Sequence, residues 1–393
     1  WCPIMTYAVN PAVHRIEAPP IMEAQSWIRP GLRNRPLLNL CQAVPSWPPS
    51  SEFDAKVARL AHEPGIGLYT DIFGLPALRE AIARDMSDDY RGQVKASQVC
   101  VTSGCNQAFA AAIMAIARAG DNVVVPVPYF FNHTMWLDMR GIETRYIPAF
   151  GGEHGWPRPE DAAAQIDSNT RAIILCSPNN PSGAIYPPEI IDAFFDLALS
   201  RGIALVIDET YKDFRADTAP PHGILARRDW PDGFIHLYSF SKAYSMTGYR
   251  VGSLIASEST LADVEKILDC MSICPPHISQ RAALFSLQSL GRWKQEKIAM
   301  MHDRLMALRQ AFKQPGLNYE LVSSGALFAY VRHPFSSERA KAVAQRLAGE
   351  HDVLCLPGSM FGDGQDSYLR IAFANAEAAD MGLLADRLIE SQG

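Results

Sequence analysis

Between residues 96 and 256, short β-branched apolar runs alternate with amphipathic stretches. The runs at 99–102, 122–126, 144–147, 172–176, 204–207, 235–239 and 252–255 are candidate strands. The stretches 106–119, 188–200 and 261–270 are candidate helices. Few architectures accept that alternation, and it predicts an α/β fold with a largely parallel sheet. Ligands of such sheets gather at the carboxyl ends of the strands. Ser103-Gly104, the turn 177–183, Asp208 and Ser239 each follow a predicted strand, so they fall where this topology puts a pocket.

Beyond residue 290 the pattern changes. A strong helical stretch at 293–313 is followed by strand-like 326–331, a helix at 336–351, strand-like 367–374 and a last helix from Ala376. That order reads as a smaller α+β unit. The first forty-odd residues are rich in Pro and Arg with weak periodicity, and read as an arm packed on another surface. Pro-rich 45–49 and Cys274-Pro275-Pro276 are candidate crossing points between units. Residues 1–4, from Trp1 to just before Met5, read as non-native or as a differently chosen start.

The 393 residues suffice for a substantial core and two domains. The formal net charge of −6 argues against a nucleic-acid or anionic-membrane partner, since both want a basic face. No apolar run is long enough to span a bilayer, and the N-terminus lacks a secretory pattern. The eight cysteines form no C-x-x-C pair and no metal spacing with His, so no metal site is expected. Cys176, after Ile173-Ile174-Leu175, is one of several in apolar runs where a reduced, buried thiol is expected. A reducing, cytoplasmic setting follows from that reading.

The chemically most informative stretch is Ser239-Phe240-Ser241-Lys242-Ala243-Tyr244-Ser245-Met246-Thr247-Gly248-Tyr249-Arg250-Val251-Gly252. A lysine flanked by small hydroxyl residues, with an arginine eight positions on, suits a Schiff base to an anionic planar cofactor. The segment resembles the lysine signature of the class I/II aminotransferases, which use pyridoxal 5'-phosphate (PLP). Further matches occur in the family's order: Tyr69 before Gly74-Leu75-Pro76-Ala77-Leu78-Arg79, Ser103-Gly104-Cys105-Asn106, Pro128-Tyr129-Phe130, Asn180-Pro181-Ser182-Gly183, Asp208-Glu209-Thr210-Tyr211 and Tyr368-Leu369-Arg370. The resemblance covers nearly the whole chain. It implies a large PLP-binding domain (48–290) with a mixed, mostly parallel seven-stranded sheet. The N-terminal arm (1–47) and residues 291–393 would form the small α+β domain.

By resemblance, Lys242 holds PLP as an aldimine. Asp208 keeps the pyridine nitrogen protonated, and Asn180 and Tyr211 contact the phenolic oxygen. A carboxylate ending the apolar strand 203–207 is costly unless paired, which fits a cofactor partner; the plain alternative is a helix cap. Gly104, Cys105 and Asn106 lead from a strand into a helix, whose N-terminus suits a phosphate. Ser239 and Arg250 complete the phosphate contacts, and Tyr69 reaches in from the partner subunit of a homodimer. Phe130 stacks on the cofactor ring, with Tyr129 as its rival. Arg370 binds the substrate's α-carboxylate, near Asn180 and Ala43.

The expected activity is transfer of an amino group from an α-amino acid to a 2-oxo acid by a ping-pong mechanism. A PLP-dependent C–S or other β-eliminating lyase is the runner-up, and a PLP-sensing regulatory module ranks lower. Many relatives carry Gly where Ala43 stands. Asp269 falls near the position where dicarboxylate-specific enzymes carry a side-chain-binding Arg. A carboxylate there would repel acidic donors, so the expected donor is neutral, aromatic or basic. A solvated helix-end role for Asp269 is the equal alternative. His133 and His277 are read as structural.

Overall fold

The computed structural model describes residues 7–29, 35–149 and 155–393, so residues 1–4 and Cys2 lie outside it. Its central sheet has seven strands: β1 Val99–Thr102, β2 Asn122–Val127, β3 Glu143–Pro148, β4 Thr170–Cys176, β5 Ala204–Asp208, β6 Phe234–Ser239 and β7 Gly252–Ile255. Their spatial order is β1-β7-β6-β5-β4-β2-β3. The pairs β6–β5, β5–β4, β4–β2 and β2–β3 are parallel, and β7 is antiparallel to both neighbours. All seven strands fall on predicted runs.

Both faces of this sheet are covered. Val101, Val124, Ile173, Leu175, Leu205 and Ile207 face one apolar cluster. Their alternates Cys100, Val123, Val125, Ile174, Val206 and Leu237 face another. Burial on both faces explains why these strands read as continuous apolar runs rather than alternating ones. Because β7 runs against its neighbours, Gly252 starts it at the edge where β1 and β6 end, opposite both Thr102 and Ser239.

A second sheet comprises β8 Glu320–Gly325, β9 Phe328–Arg332, β10 Leu356–Pro357 and β11 Tyr368–Ala372. It is antiparallel throughout, in the order β10-β11-β9-β8. The helices Gly291–Ala311, Ala340–Glu350 and Asp380–Glu390 accompany it. Leu38–Asn39 pairs in parallel with Val353–Leu354, and Ala372 N–H donates to Leu40 O at 2.8 Å. The segment after Asn39 is thereby tied to C-terminal structure before it crosses toward the central sheet.

Several predicted bounds shift for local reasons. The helix expected from residue 336 starts at Ala340, after a turn. The last helix starts at Asp380 rather than Ala376, and the Asp380 carboxylate accepts from Glu377 N–H at 2.8 Å. Ala326 adopts φ 47° in the β8–β9 turn, so β9 begins two residues later than expected. Strand β8 and the helices Ser51–Leu60, Pro76–Asp89, Phe131–Arg140 and His277–Ser289 were not assigned from the sequence. Among the described residues no helix is long and apolar enough to cross a membrane.

Candidate active site

The carboxyl ends of β4, β5 and β6 open onto a cleft of about 330 Å³. Into it come Ala43, Cys105, Asn106, Phe130, Asn180, Asp208, Tyr211, Ser239, Lys242, Arg250 and Arg370. Gly104 stands just behind. Its φ is 83°, and a Cβ there would lie 2.2 Å from an Arg250 guanidinium nitrogen. A side chain at 104 would push that cation away. Tyr69 does not reach this cleft; it is 76% exposed beside Leu68, itself 70% exposed. Asp269 is exposed on the helix Glu258–Met271 and is also absent from the cleft wall.

Lys242 sits on the one-turn helix Phe240–Ala243, capped by Ser239, whose hydroxyl accepts from Ser241 N–H at 3.2 Å. The strand end and cap aim the lysine into the cleft, where Nζ donates to Ala43 O at 2.6 Å. The backbone carbonyl of Ala43, rather than its methyl group, is thus the contact. Burial lowers the Lys242 pKa, the nearby Arg370 and Arg250 lower it further, and Asp208 pulls the other way. The result is about 8. A substantial neutral fraction therefore exists near neutral pH, as a nucleophile or base requires.

Asp208 ends β5 almost fully buried. Its Oδ2 lies 3.2 Å from His133 Nε2, and its Oδ1 accepts from Thr210 N–H at 3.0 Å. Burial pushes its pKa up, but the contacts with His133 and Thr210 outweigh this and hold it below the ordinary aspartate value. His133 was read as structural, yet it touches the carboxylate at the heart of the site. It lies in the first turn of Phe131–Arg140, three residues after Phe130, so one helix start presents both to the strand ends. Its spacing from Phe130 was the available signal, but only the unassigned helix gives that spacing a direction. His277 opens a different helix and stays outside the cleft.

Phe130 packs its edge on His133 with centroids 5.2 Å apart. Its neighbour Tyr129 stacks on Tyr146 instead, so of the two it is Phe130 that lines the cleft. Arg250 follows the turn Thr247–Tyr249 with φ 52°, a left-handed conformation unusual for a non-glycine residue. It donates to Thr247 O at 3.0 Å and to Ser241 Oγ at 3.4 Å. Beside it, the helix Cys105–Ile116 begins directly after Gly104.

Arg370, on β11, is 2% exposed. One nitrogen donates to Asn180 Oδ1 at 3.0 Å, another to Cys41 O, and Nε has no partner among the described residues. The rings of Phe328 and Phe361 flank it, with centroids 5.2 and 5.1 Å away. Burial lowers its pKa to about 10. The loop that carries Asn180 is pinned by Gly183, at φ 71°, where a Cβ would clash with Gly325 N and Phe328 O.

This donor set fits PLP. Gly104, the helix start, Ser239, Ser241 and Arg250 offer an anion cradle in which φ 83° at residue 104 favours glycine. A buried carboxylate held below its ordinary pKa suits a protonated ring nitrogen. A lysine of lowered pKa stands between them.

The chain matches the sequence profile of the family described as "Aminotransferase class I and II" over residues 35–388. It is 28% identical to an aromatic aminotransferase of Arabidopsis thaliana over 89% of this chain and 88% of that protein. It is also 28% identical to an aspartate aminotransferase of Thermotoga maritima over 86% of this chain and 87% of that one. Among solved structures, a mutant of the Thermus thermophilus aspartate aminotransferase superposes with a TM-score of 0.88 at 23% identity, covering 98% of this chain and 100% of the other, which supports the fold. With a family match over most of its length and the family's fold, the chain belongs to the class I and II aminotransferases and is a PLP-dependent transaminase.

Proposed function

We propose that this enzyme holds PLP at Lys242 and moves the amino group of a non-dicarboxylic α-amino acid to a 2-oxo acid by a ping-pong sequence. The observation that carries the reading is the convergence of Lys242, Asp208, Arg250 and Arg370 in one cleft. Asp208 holds a proton on the ring nitrogen, itself steadied by His133 and Thr210. Asn180 and Tyr211 would contact the phenolic oxygen. Gly104, Cys105, Asn106, Ser239 and Arg250 would take the phosphate, and Phe130 would cover the ring. When bound, PLP supplies the electron sink that makes the donor's Cα proton acidic.

The protein's own part is binding, orientation and proton movement. Arg370 receives the α-carboxylate, for which its fork geometry is suited. Lys242 Nζ takes the proton from Cα of the donor and, in the return half-reaction, delivers one to Cα of the incoming oxo acid. The cations that line the cleft among the described residues are Lys242, Arg250 and Arg370, and each already has a task. None is left for a second carboxylate, which supports a neutral, aromatic or basic donor. The relatives' names, aromatic in one and aspartate in the other, do not choose between donors.

Exposed Tyr69 and Leu68 are what a homodimer would bury, with Tyr69 completing the neighbour's phosphate site. We divide the chain into a PLP-binding domain at 48–290 and a small domain from 1–47 and 291–393. The free, buried thiols of Cys41, Cys100, Cys105, Cys176 and Cys355 suit a cytoplasmic setting. Borohydride reduction of the PLP-loaded protein followed by peptide mass spectrometry tests the seat of the cofactor. The expected label is on Lys242 alone; a label spread over other lysines, or none, would refute the assignment.

A further inference from the structure

Arg304, on the helix Gly291–Ala311, is 1% exposed and lies outside the cleft wall. Burying a guanidinium is costly unless its donors are satisfied. Its ion pair does not explain the burial. Glu377 meets Nη2 at 2.6 Å but keeps 63% of its side chain in water, so that pair needs no buried arginine. What burial secures is Nη1, which donates to Ala374 O at 2.7 Å and to Ser46 Oγ at 2.9 Å. The Trp47 ring covers the guanidinium, with its centroid 5.2 Å away.

These contacts close a strap formed by residues 39–47. The residues that end and follow β11 hold it at both ends. At one end Asn375 Nδ2 donates to Asn39 O at 3.0 Å, and Ala372 N–H to Leu40 O at 2.8 Å. At the other, Val44 N–H donates to Asn375 Oδ1 at 3.0 Å and Ser46 N–H to Ala374 O at 3.3 Å. Between these ties two backbone carbonyls meet cations of the cleft. Cys41 O accepts from Arg370, and Ala43 O accepts from Lys242 Nζ at 2.6 Å. A backbone carbonyl is aimed by the path of its chain, and Arg304 fixes that path where the strap leaves the site.

Resting on the reading of Lys242 and Arg370 as the reacting lysine and the carboxylate-binding arginine of a transaminase, we propose that Arg304 is a positioning residue that clasps the strap 39–47, so that the carbonyls of Cys41 and Ala43 hold Arg370 and Lys242 in place. Arg304 acts on the chemistry only through the strap. The Ala43 carbonyl favours the protonated lysine, because a charge-assisted hydrogen bond is stronger than a neutral one. It works with Asp208 against burial, Arg370 and Arg250, which discharge the lysine. Without the clasp the carbonyl drifts and the discharging groups prevail.

The test reads Lys242 in the full-length, cofactor-free chain and turnover in the PLP-loaded enzyme. Acetic anhydride labelling over a pH series, followed by peptide mass spectrometry, gives the midpoint at which Lys242 becomes a nucleophile. Arg304→Met, which keeps an apolar cover on Trp47, should lower that midpoint by about one pH unit. Ser46→Ala, at an exposed position, removes one acceptor of the clasp and should lower it less. Ser46→Thr, which keeps the hydroxyl, should match wild type. Arg370, Arg250 and Asp208 are unaltered in all three variants. In the loaded enzyme, kcat/KM per folded molecule should fall about tenfold in Arg304→Met and less in Ser46→Ala. A midpoint unmoved or raised in Ser46→Ala and in folded Arg304→Met would overturn the clasp, even with transamination intact. A Thr variant that falls as far as the Ala variant would also overturn it. If Arg304→Met does not fold, the two Ser46 variants decide alone. Midpoints that fall as expected in a protein that transaminates no donor would refute the transaminase reading and leave the clasp standing.

Discussion

Two lysines withdrawn from water in this fold have pKa values shifted in opposite directions. Lys212, four residues past Asp208, is 5% exposed and surrounded by carboxylates. It pairs with Asp89, lies 3.8 Å from Asp85 and 3.9 Å from Asp213, and shares Asp213 with Lys294 at 2.9 Å. Burial lowers its pKa, but those three carboxylates outweigh it and the net shift is upward. Lys242 loses water too, yet its charged neighbours are chiefly Arg370 and Arg250, and its pKa falls to about 8. Desolvation is common to both, so the sign of the neighbouring charge decides which lysine stays a cation and which gains a neutral fraction near neutral pH. Asp85 and Asp89 lie at the end of Pro76–Asp89, where helix polarity disfavours carboxylates, and Lys212 compensates them.

Substitutions at the two lysines should separate accordingly. Lys242→Ala should cost about 10²–10⁴-fold in kcat from the lost proton transfer alone, with an unchanged far-UV spectrum; residual activity above that range would break the contrast. Lys212→Met should instead cost about 1–3 kcal/mol in denaturant unfolding, because buried Asp213 loses one of its two cations and half-exposed Asp85 and Asp89 lose theirs. Activity per folded molecule should stay near wild type. Arg370→Lys should raise KM for the donor by about 10–100-fold, through loss of a charge-assisted hydrogen bond and the planar fork; steady-state kinetics at saturating oxo acid reads this directly.

The smallest effect concerns stability and pH. The folded pKa of Lys242 lies below the ordinary lysine value of ~10.4. At this site the unfolded chain therefore binds more protons between about 8 and that value, so the contribution of Lys242 itself to stability should rise with pH across this window. In the cofactor-free protein, Lys242→Met should gain about 1 kcal/mol near neutral pH, and the gain should vanish as pH climbs through the window. Lys212→Met should show no such gain at any pH.

The legible parts of the molecule were those written locally. The runs that became β4, β5 and β6 are apolar because both faces of the sheet are covered; Asp208 ends one of them, and Asn180 and Lys242 follow the others within a few residues. What stayed hidden depends on partners far along the chain. Strand β8, Glu-Leu-Val-Ser-Ser-Gly, is only half-buried and carries no strong pattern. Phe131–Arg140 lacks a polar cap, so its start was not marked and His133 had no assigned direction. The Arg370–Asn180 contact joins residues 190 positions apart.

The cleft around Lys242, whose pKa is lowered to about 8, is where PLP binding and amino transfer are proposed. The most direct test is the visible spectrum of the PLP-loaded protein as amino acids are added singly, followed by a 2-oxo acid. An uncharged donor such as phenylalanine should bleach the cofactor band, the oxo acid should restore it, and Lys242→Ala should show no such cycle. A band that returns unaided while pyruvate and ammonia accumulate would assign elimination instead. A wild-type protein with no cofactor band in excess PLP would contradict the account outright.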